Sequence, residues 1–388
     1  MISAHRTLAF TTASLLVACT GVAQAEVFNN NGGSGLWSDT ANWTGGDIAD
    51  DNTENAQINP PAVNVDNSFT IKGLNNSFGT ALQTISGIGA LTIDRNASGP
   101  GNGIRNVAGN AGGLMTIDTN IDIANSQGGI TWIANNNSAG NVLAFGSSST
   151  LTLTTRAEVV QAVGGSVEFN GELAGGDALR LNHNNVTFGA TSNSPSYTGD
   201  IVFFNNASVV VDTAASNTFF GGTKLQINGS SSLTLNNEGV LANEPQLAFS
   251  GTPTFNLDVN GDQAFGNLVL NNATVNLTLG AGVDDLDFLP SAAFSWGGTL
   301  NINNFTSGVI GFGFDGGLDA SQLSSITIDG QAPASPLFLD VNGKLVDQIA
   351  SLLGDLDSDG DLDVDDLNLL GAFIGEGTTP EEGDIDDD

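Results

Sequence analysis

The sequence predicts an all-β fold, a right-handed parallel β-helix (β-solenoid) body, and three observations predict it. Short runs alternate apolar and polar residues at period two, which suits strands with one buried face. Gly and Asn separate the runs, and both tolerate the left-handed backbone that tight turns need. Paired runs recur roughly every 20–25 residues, within the spacing of repeat architectures. One rung of such a coil cannot bury its own apolar face, whereas stacked rungs make a continuous core. A two-sheet β-sandwich is the alternative, because short strands with frequent turns fit it too.

The runs begin with Phe69–Lys72 and Leu91–Asp94 and continue through Leu151–Thr154, Val186–Phe188 and Ile201–Phe204. The second half is the more regular: VTFGATSN, IVFFNNASVVVD, LQINGSSSLTLNN, LAFSGTPTFNLD and LVLNNATVNLTL follow one another. No helical periodicity interrupts residues 66–290. This divides the chain into a signal peptide (1–25), an N-terminal cap region (26–65), a strand-repeat solenoid (66–290), a closing β-module (291–350) and an acidic C-terminal segment (354–388).

Residues 1–25 carry the marks of export. Arg6 supplies a positive start, Leu8–Ala18 is apolar but too short to span a bilayer, and Ala23-Gln24-Ala25 is an A-x-A cleavage site. Leu16-Val17-Ala18-Cys19 offers a competing reading as a lipobox, with a lipid anchor on Cys19, the only cysteine. Ordinary cleavage after Ala25 is the preferred reading. It leaves a mature chain with no disulfide, no thiolate nucleophile and no cysteine-based zinc site. No other segment is apolar enough to cross a membrane as a helix.

The charge balance excludes one class of partner. Eight Lys+Arg face 42 Asp+Glu, a formal net charge of −34. Nucleic acid is therefore not expected, since phosphate binding needs clustered cations. The acids are uneven: residues 355–388 hold 14 of the 42 and no Lys or Arg.

That acidic segment contains the one constellation with clear chemistry. In GDLDSDGDLDVDD, Asp355, Asp357 and Asp359 take positions 1, 3 and 5 of a twelve-residue loop. Gly360 at position 6 permits the sharp reversal, and Asp361 at 7 needs to give only its carbonyl. Asp363 at 9 acts directly or through water, and Asp366 at 12 closes the shell. These short carboxylates converge on one turn, which suits a hard cation that takes six to eight oxygens, so the expected ion is Ca2+. Asp366–Phe373 reads as the following helix, with Leu367, Leu370 and Ile374 at helical spacing. A merely solvated acidic tail would not place five Asp, a Gly and an apolar residue in this register.

The loop resembles a dockerin repeat, with Asp at position 12 and no clear preceding helix. Asp384, Asp386 and Asp388 look like positions 1, 3 and 5 of a second loop. That loop is incomplete in this sequence, and Val364-Asp365 departs from the hydroxyl residues that many dockerins carry at 10 and 11. Upstream, Tyr197-Thr198-Gly199 and the strands after it are similar to the autotransporter-associated β-strand repeat. GLWSDTANWTGG, with Trp37 and Trp43, looks like the start of that family's passenger regions. Residues 294–346 look like the closing module of exported planctomycete and verrucomicrobial proteins. Together these resemblances cover about half the chain. They imply a surface or extracellular β-repeat protein that docks through calcium onto a cohesin-like protein or a cell-surface polysaccharide.

The remaining candidates are weaker. His183, the one mature histidine, sits at a strand-to-turn step and reads as a turn residue. Glu168/Glu172 and Asp284/Asp285 are acid pairs of the kind glycoside hydrolysis uses, but coincidental pairs are certain among so many acids. Arg156, Arg180 and Lys224 are too scattered to neutralise a uronate. Trp37, Trp43, Trp132 and Trp296 read as core or cap before sugar platforms. Asp258–Asp262 echoes a calcium loop but lacks the later ligands, so a turn is expected. The leading expectation is a structural or adhesive protein and not an enzyme. The rival is a secreted carbohydrate-binding or polysaccharide-degrading protein delivered by the same acidic module.

Overall fold

The computed structural model describes residues 25–76, 82–96, 101–106, 113–135, 140–160, 165–252, 254–314 and 316–347. The acidic segment 354–388, expected from sequence to bind Ca2+, and residues 1–24 of the expected signal peptide lie outside the described residues. The body is a parallel β-solenoid of about ten turns. It is built from a 13-stranded and a 15-stranded sheet, here called the first and second sheets.

One coil shows how the chain winds. Ile201–Phe203 belongs to the first sheet, Ser208–Val211 to the second, and Lys224–Asn228 returns to the first beside the strand it left. Ile201 pairs with Leu225 and Val209 with Leu233, both in parallel. Parallel ladders throughout both sheets exclude the antiparallel β-sandwich. The stack starts at Ala25–Phe28 and Ala62–Asn64 and ends at Ile310–Gly311 and Ile326–Ile328, so it runs past 66–290 in both directions.

Period-two alternation becomes an inside and an outside. Along the first sheet, Leu181, Phe203, Ile227, Phe249 and Leu270 stand over one another, and all are fully buried. In the second sheet Phe145, Phe169 and Phe188 stack face to face at 5.1 and 4.9 Å. Phe265, Phe288 and Phe312 form a second such column at 5.3 and 5.2 Å. Flat rings suit this geometry because successive strands sit about 4.8 Å apart, close to offset-stacking distance.

Polar residues also enter the core, but in register. Asn76, Asn106 and Asn135 are buried register partners at one corner. The Asn76 amide donates to Asn106 Oδ1 at 3.0 Å, and Asn106 Nδ2 donates to the Val142 carbonyl at 3.0 Å. Tyr197, in the Tyr-Thr-Gly signature, is fully buried. Its hydroxyl accepts from the Leu179 amide at 2.8 Å and lies 2.8 and 3.0 Å from the carbonyls of Asp177 and Asp200. It thereby ties one return loop to the coil beneath. Gly199 is required there, since a Cβ would stand 2.1 Å from the Asp177 carbonyl oxygen.

The tight turn between the sheets repeats too. Asn205, Gly229, Gly251 and Asn272 share one corner, all with positive φ. At Gly229 a side chain would also meet the Asn205 carbonyl oxygen at 2.4 Å.

Both ends of the stack are closed. At the start, Trp43 donates from Nε1 to the Trp37 carbonyl at 2.7 Å, and the two rings meet edge-on at 5.0 Å over Phe28. At the finish, an antiparallel hairpin of Leu337–Leu339 and Leu345–Asp347 folds back, and Lys344 bridges to Gly311 on the last strand of the first sheet. Ile328 bridges to Gln331 at the last strand of the second sheet. A one-turn helix, Ala320–Leu323, is held by a capping box of Asp319 and Gln322. Covered edges stop the stack from templating another chain.

Urea unfolding monitored by circular dichroism checks this account. Phe169→Ala should cost about 3–5 kcal/mol through the lost column. Tyr197→Phe should cost about 1–3 kcal/mol, because the buried hydroxyl that donates toward the Asp177 carbonyl is lost and the Leu179 amide keeps only the Asp200 carbonyl as acceptor. Thr234→Ala, on the outer face, should stay within about 0.5 kcal/mol of wild type.

Candidate functional sites

The expected calcium ligands Asp355, Asp357, Asp359, Asp361, Asp363 and Asp366 lie outside the described residues.

At its first turn the fold gathers acids that the sequence keeps apart. Glu26 lies on the opening strand, Asp47 follows Trp43, and Glu54 precedes Asn55–Ile58, whose Ala56 pairs with Glu26. One oxygen from each of these three carboxylates lies within 4.8 Å of the others. Burial, and then the nearby charge of Asp47, push the Glu26 carboxyl above its usual range. Burial also raises Glu54, helped by Asp51, Asp47 and Asp50, although the Asp50 amide donates to it at 3.1 Å. The trio offers three ligand oxygens, fewer than the six to eight of a full calcium shell.

One member of each acid pair named from sequence, Glu172 and Asp285, makes contacts within the coil. Glu168 points outward from Ser166–Phe169, while Glu172 accepts from the Ser196 hydroxyl and from Thr150 Oγ1 at 3.4 Å. The groove of about 330 Å³ beside Glu172 is lined by Ser147–Thr150, Thr191, Asn193 and Pro195, and Glu172 is its one carboxylate. Asp284 and Asp285 donate their backbone amides to Asp262 at 2.8 and 2.9 Å, which makes Asp262 a turn brace. Asp285 and Asp287 also hold Lys344, so the terminal hairpin is tied to the stack by charge.

His183 is a buried turn residue. Its Nδ1 accepts from the Asn185 amide at 3.0 Å, its Nε2 has no hydrogen-bond partner, and burial lowers its basicity. Among the described residues no carboxylate orients it as a general base. Arg180 pairs with Glu158 at 3.4 Å and lies 4.1 Å over the Phe204 ring. Trp37 and Trp43 are buried in the cap, while Trp132 and Trp296 are half-buried.

A regular surface that the sequence reading did not single out lies on the outer face of the second sheet, over its later coils. Thr254, Thr274 and Thr299 stand in one column. Asn256, Asn276 and Asn301 stand in the next, and Asp258, Thr278 and Asn303 in a third. Asn276 Nδ2 donates to Asn256 Oδ1 and Asn301 Nδ2 to Asn276 Oδ1, both at 3.1 Å, and the Thr327 hydroxyl continues to Asn301 Oδ1 at 3.0 Å. At the neighbouring turn Asn260 donates to Asn236 at 2.9 Å. The signal was present as T-x-N-x-D, T-x-N-x-T and T-x-N-x-N at 254, 274 and 299.

No protein-family model, curated protein or solved structure matches the chain. Among the described residues no helix is long and apolar enough to cross a membrane.

The pH response of the first turn follows from its carboxylates. Glu26 and Glu54 titrate above the ordinary 4.5, so the folded state takes up protons before the unfolded chain does. Stability of this end should rise as pH falls from neutral toward that value. Asp51, held below the ordinary 3.8 by the Thr53 hydroxyl and amide, acts oppositely, and stability should fall as pH drops through its range. Amide exchange at Ala56 and Gln57 from pH 7 to 3 should therefore pass through maximum protection between the two windows. Protection that declines steadily from pH 7 would contradict this.

Proposed function

We propose that this is an exported structural or adhesive protein of the bacterial surface or extracellular matrix, and not an enzyme. In this reading the solenoid is a rigid spacer, and the acidic segment 354–388 is a calcium-dependent docking module for a cohesin-like partner or a cell-surface polysaccharide. One observation carries it: the described solenoid is filled with buried side chains and closed at both ends, while the outer face of its second sheet carries ordered Thr and Asn over the later coils. Such a body is stiff and exposes repeating polar surface. The placement of the named acids supports the reading as well, since the carboxylates of Glu172, Asp262 and Asp285 brace neighbouring segments. The export pattern of residues 1–25 and the five-Asp register of residues 355–366 supply the rest.

The docking half predicts a specific metal response. Calorimetry on the full chain should find a Ca2+ site with a Kd of about 10⁻⁵–10⁻³ M, the range of extracellular modules, with Mg2+ a poor substitute. Asp366→Ala should abolish that site and Asp365→Ala should leave it, because position 11 is not a ligand. Equal binding by both variants would reduce the segment to a diffuse acidic tail. The export half is tested separately: external protease on intact cells should remove the protein, and full protection inside the cell would overturn the reading.

A further inference from the structure

We propose that the outer face of the second sheet, over the coils from Ser232 to Thr327, is a binding surface for an extended, uncharged polysaccharide. This rests on the surface-protein reading above and adds to it a site and a ligand class.

The first argument is order. The Asn256, Asn276 and Asn301 amides hydrogen-bond along the stack, so their rotamers are set before any ligand arrives. Side chains already immobilised lose little entropy on binding, which is the usual cost of recognising a flexible polymer with polar groups. After its bond to Asn256, Asn276 still has a second N–H to give. The Thr254, Thr274 and Thr299 column alongside adds hydroxyls that both donate and accept.

The second argument is charge. The chain carries a formal net charge of −34, yet the three columns hold one carboxylate, Asp258, and no cation. Nothing there neutralises a uronate or a phosphate, and little repels a neutral chain. Hydroxyl-rich polymers match a surface of amides and hydroxyls, where each partner supplies both donors and acceptors.

The third argument is repetition. Ser232, Asn256, Asn276, Asn301 and Thr327 are consecutive register partners. At strand spacing they form a straight row roughly 19 Å long. Each contact is weak, but a linear polymer engages several at once, and effective concentration multiplies them. The columns offer no aromatic ring, so recognition runs through sugar hydroxyls and not ring stacking.

Affinity electrophoresis of the full chain tests this, in gels containing β-glucan, xyloglucan or arabinoxylan as neutral polymers and alginate as the anionic one. Wild type should be retarded by at least one neutral polymer and not by alginate. Asn276→Glu, and independently Asn256→Glu, should weaken that retardation tenfold or more. Gln226→Glu, on the outer face of the first sheet, adds the same charge and should leave it unchanged. Thermal melts of each variant verify folding. Absence of retardation in all three neutral gels would overturn the proposal, as would equal weakening by Gln226→Glu or retardation in alginate. A protein found at the cell surface that ignores every polymer would sink this inference and leave the scaffold reading standing. A protein retained inside the cell would sink that reading instead.

Discussion

Every feature of the molecule depends on one constraint: in a parallel stack each residue sits directly over its register partner. Like must therefore meet like along the axis. The Leu181–Leu270 column, the Phe145–Phe188 stack, the Asn76–Asn135 corner and the outer Asn256–Asn301 row are four consequences of that rule. Side chains alternate faces at period two, so the same rule sorts apolar columns inward and polar columns outward. Steric demands repeat as well, which is why Asn205, Gly229, Gly251 and Asn272 all hold a left-handed backbone at one corner.

A stack of this kind has two weak places, its ends, and the chain spends special residues there. Trp37, Trp43 and Phe28 close the first turn with large rings that need no coil beneath them. The far end uses a hairpin, a one-turn helix and the Lys344 contacts to Asp285 and Asp287. Closed ends leave the lateral faces as the accessible regular surfaces, so the faces and not the edges are where a partner would be met.

The body was legible in the sequence because period-two alternation and Gly/Asn breaks are local signals. Of the long strand Leu82–Ile93 only the end was legible as a run, since Gly87 and Gly89 interrupt the alternation where the register shifts, and Asn55–Ile58 and Ala62–Asn64 are too short to display a period. Sites assembled by register were not legible. Glu26 and Glu54 meet because Ala25–Phe28 pairs with Asn55–Ile58, and no spacing rule announces that pairing. The outer grid is a similar case: its T-x-N motif is visible at three places, but only the coil lengths bring 254, 274 and 299 into one column. The expected loop at 355–366 is the reverse case, since its acids are close in sequence and the expectation needs no strand pairing.

If register is the governing constraint, the most direct measurement compares two single-residue insertions in one coil. An alanine placed between Val209 and Val210, inside Ser208–Val211, would turn the rest of that strand onto the wrong face. The same alanine between Ala215 and Ser216, in the exposed return loop, changes no face. Urea melts of the two should differ sharply, with the strand insertion losing several kcal/mol, as core disruption does, and the loop insertion staying within about 1 kcal/mol of wild type. Equal losses in the two proteins would contradict the account.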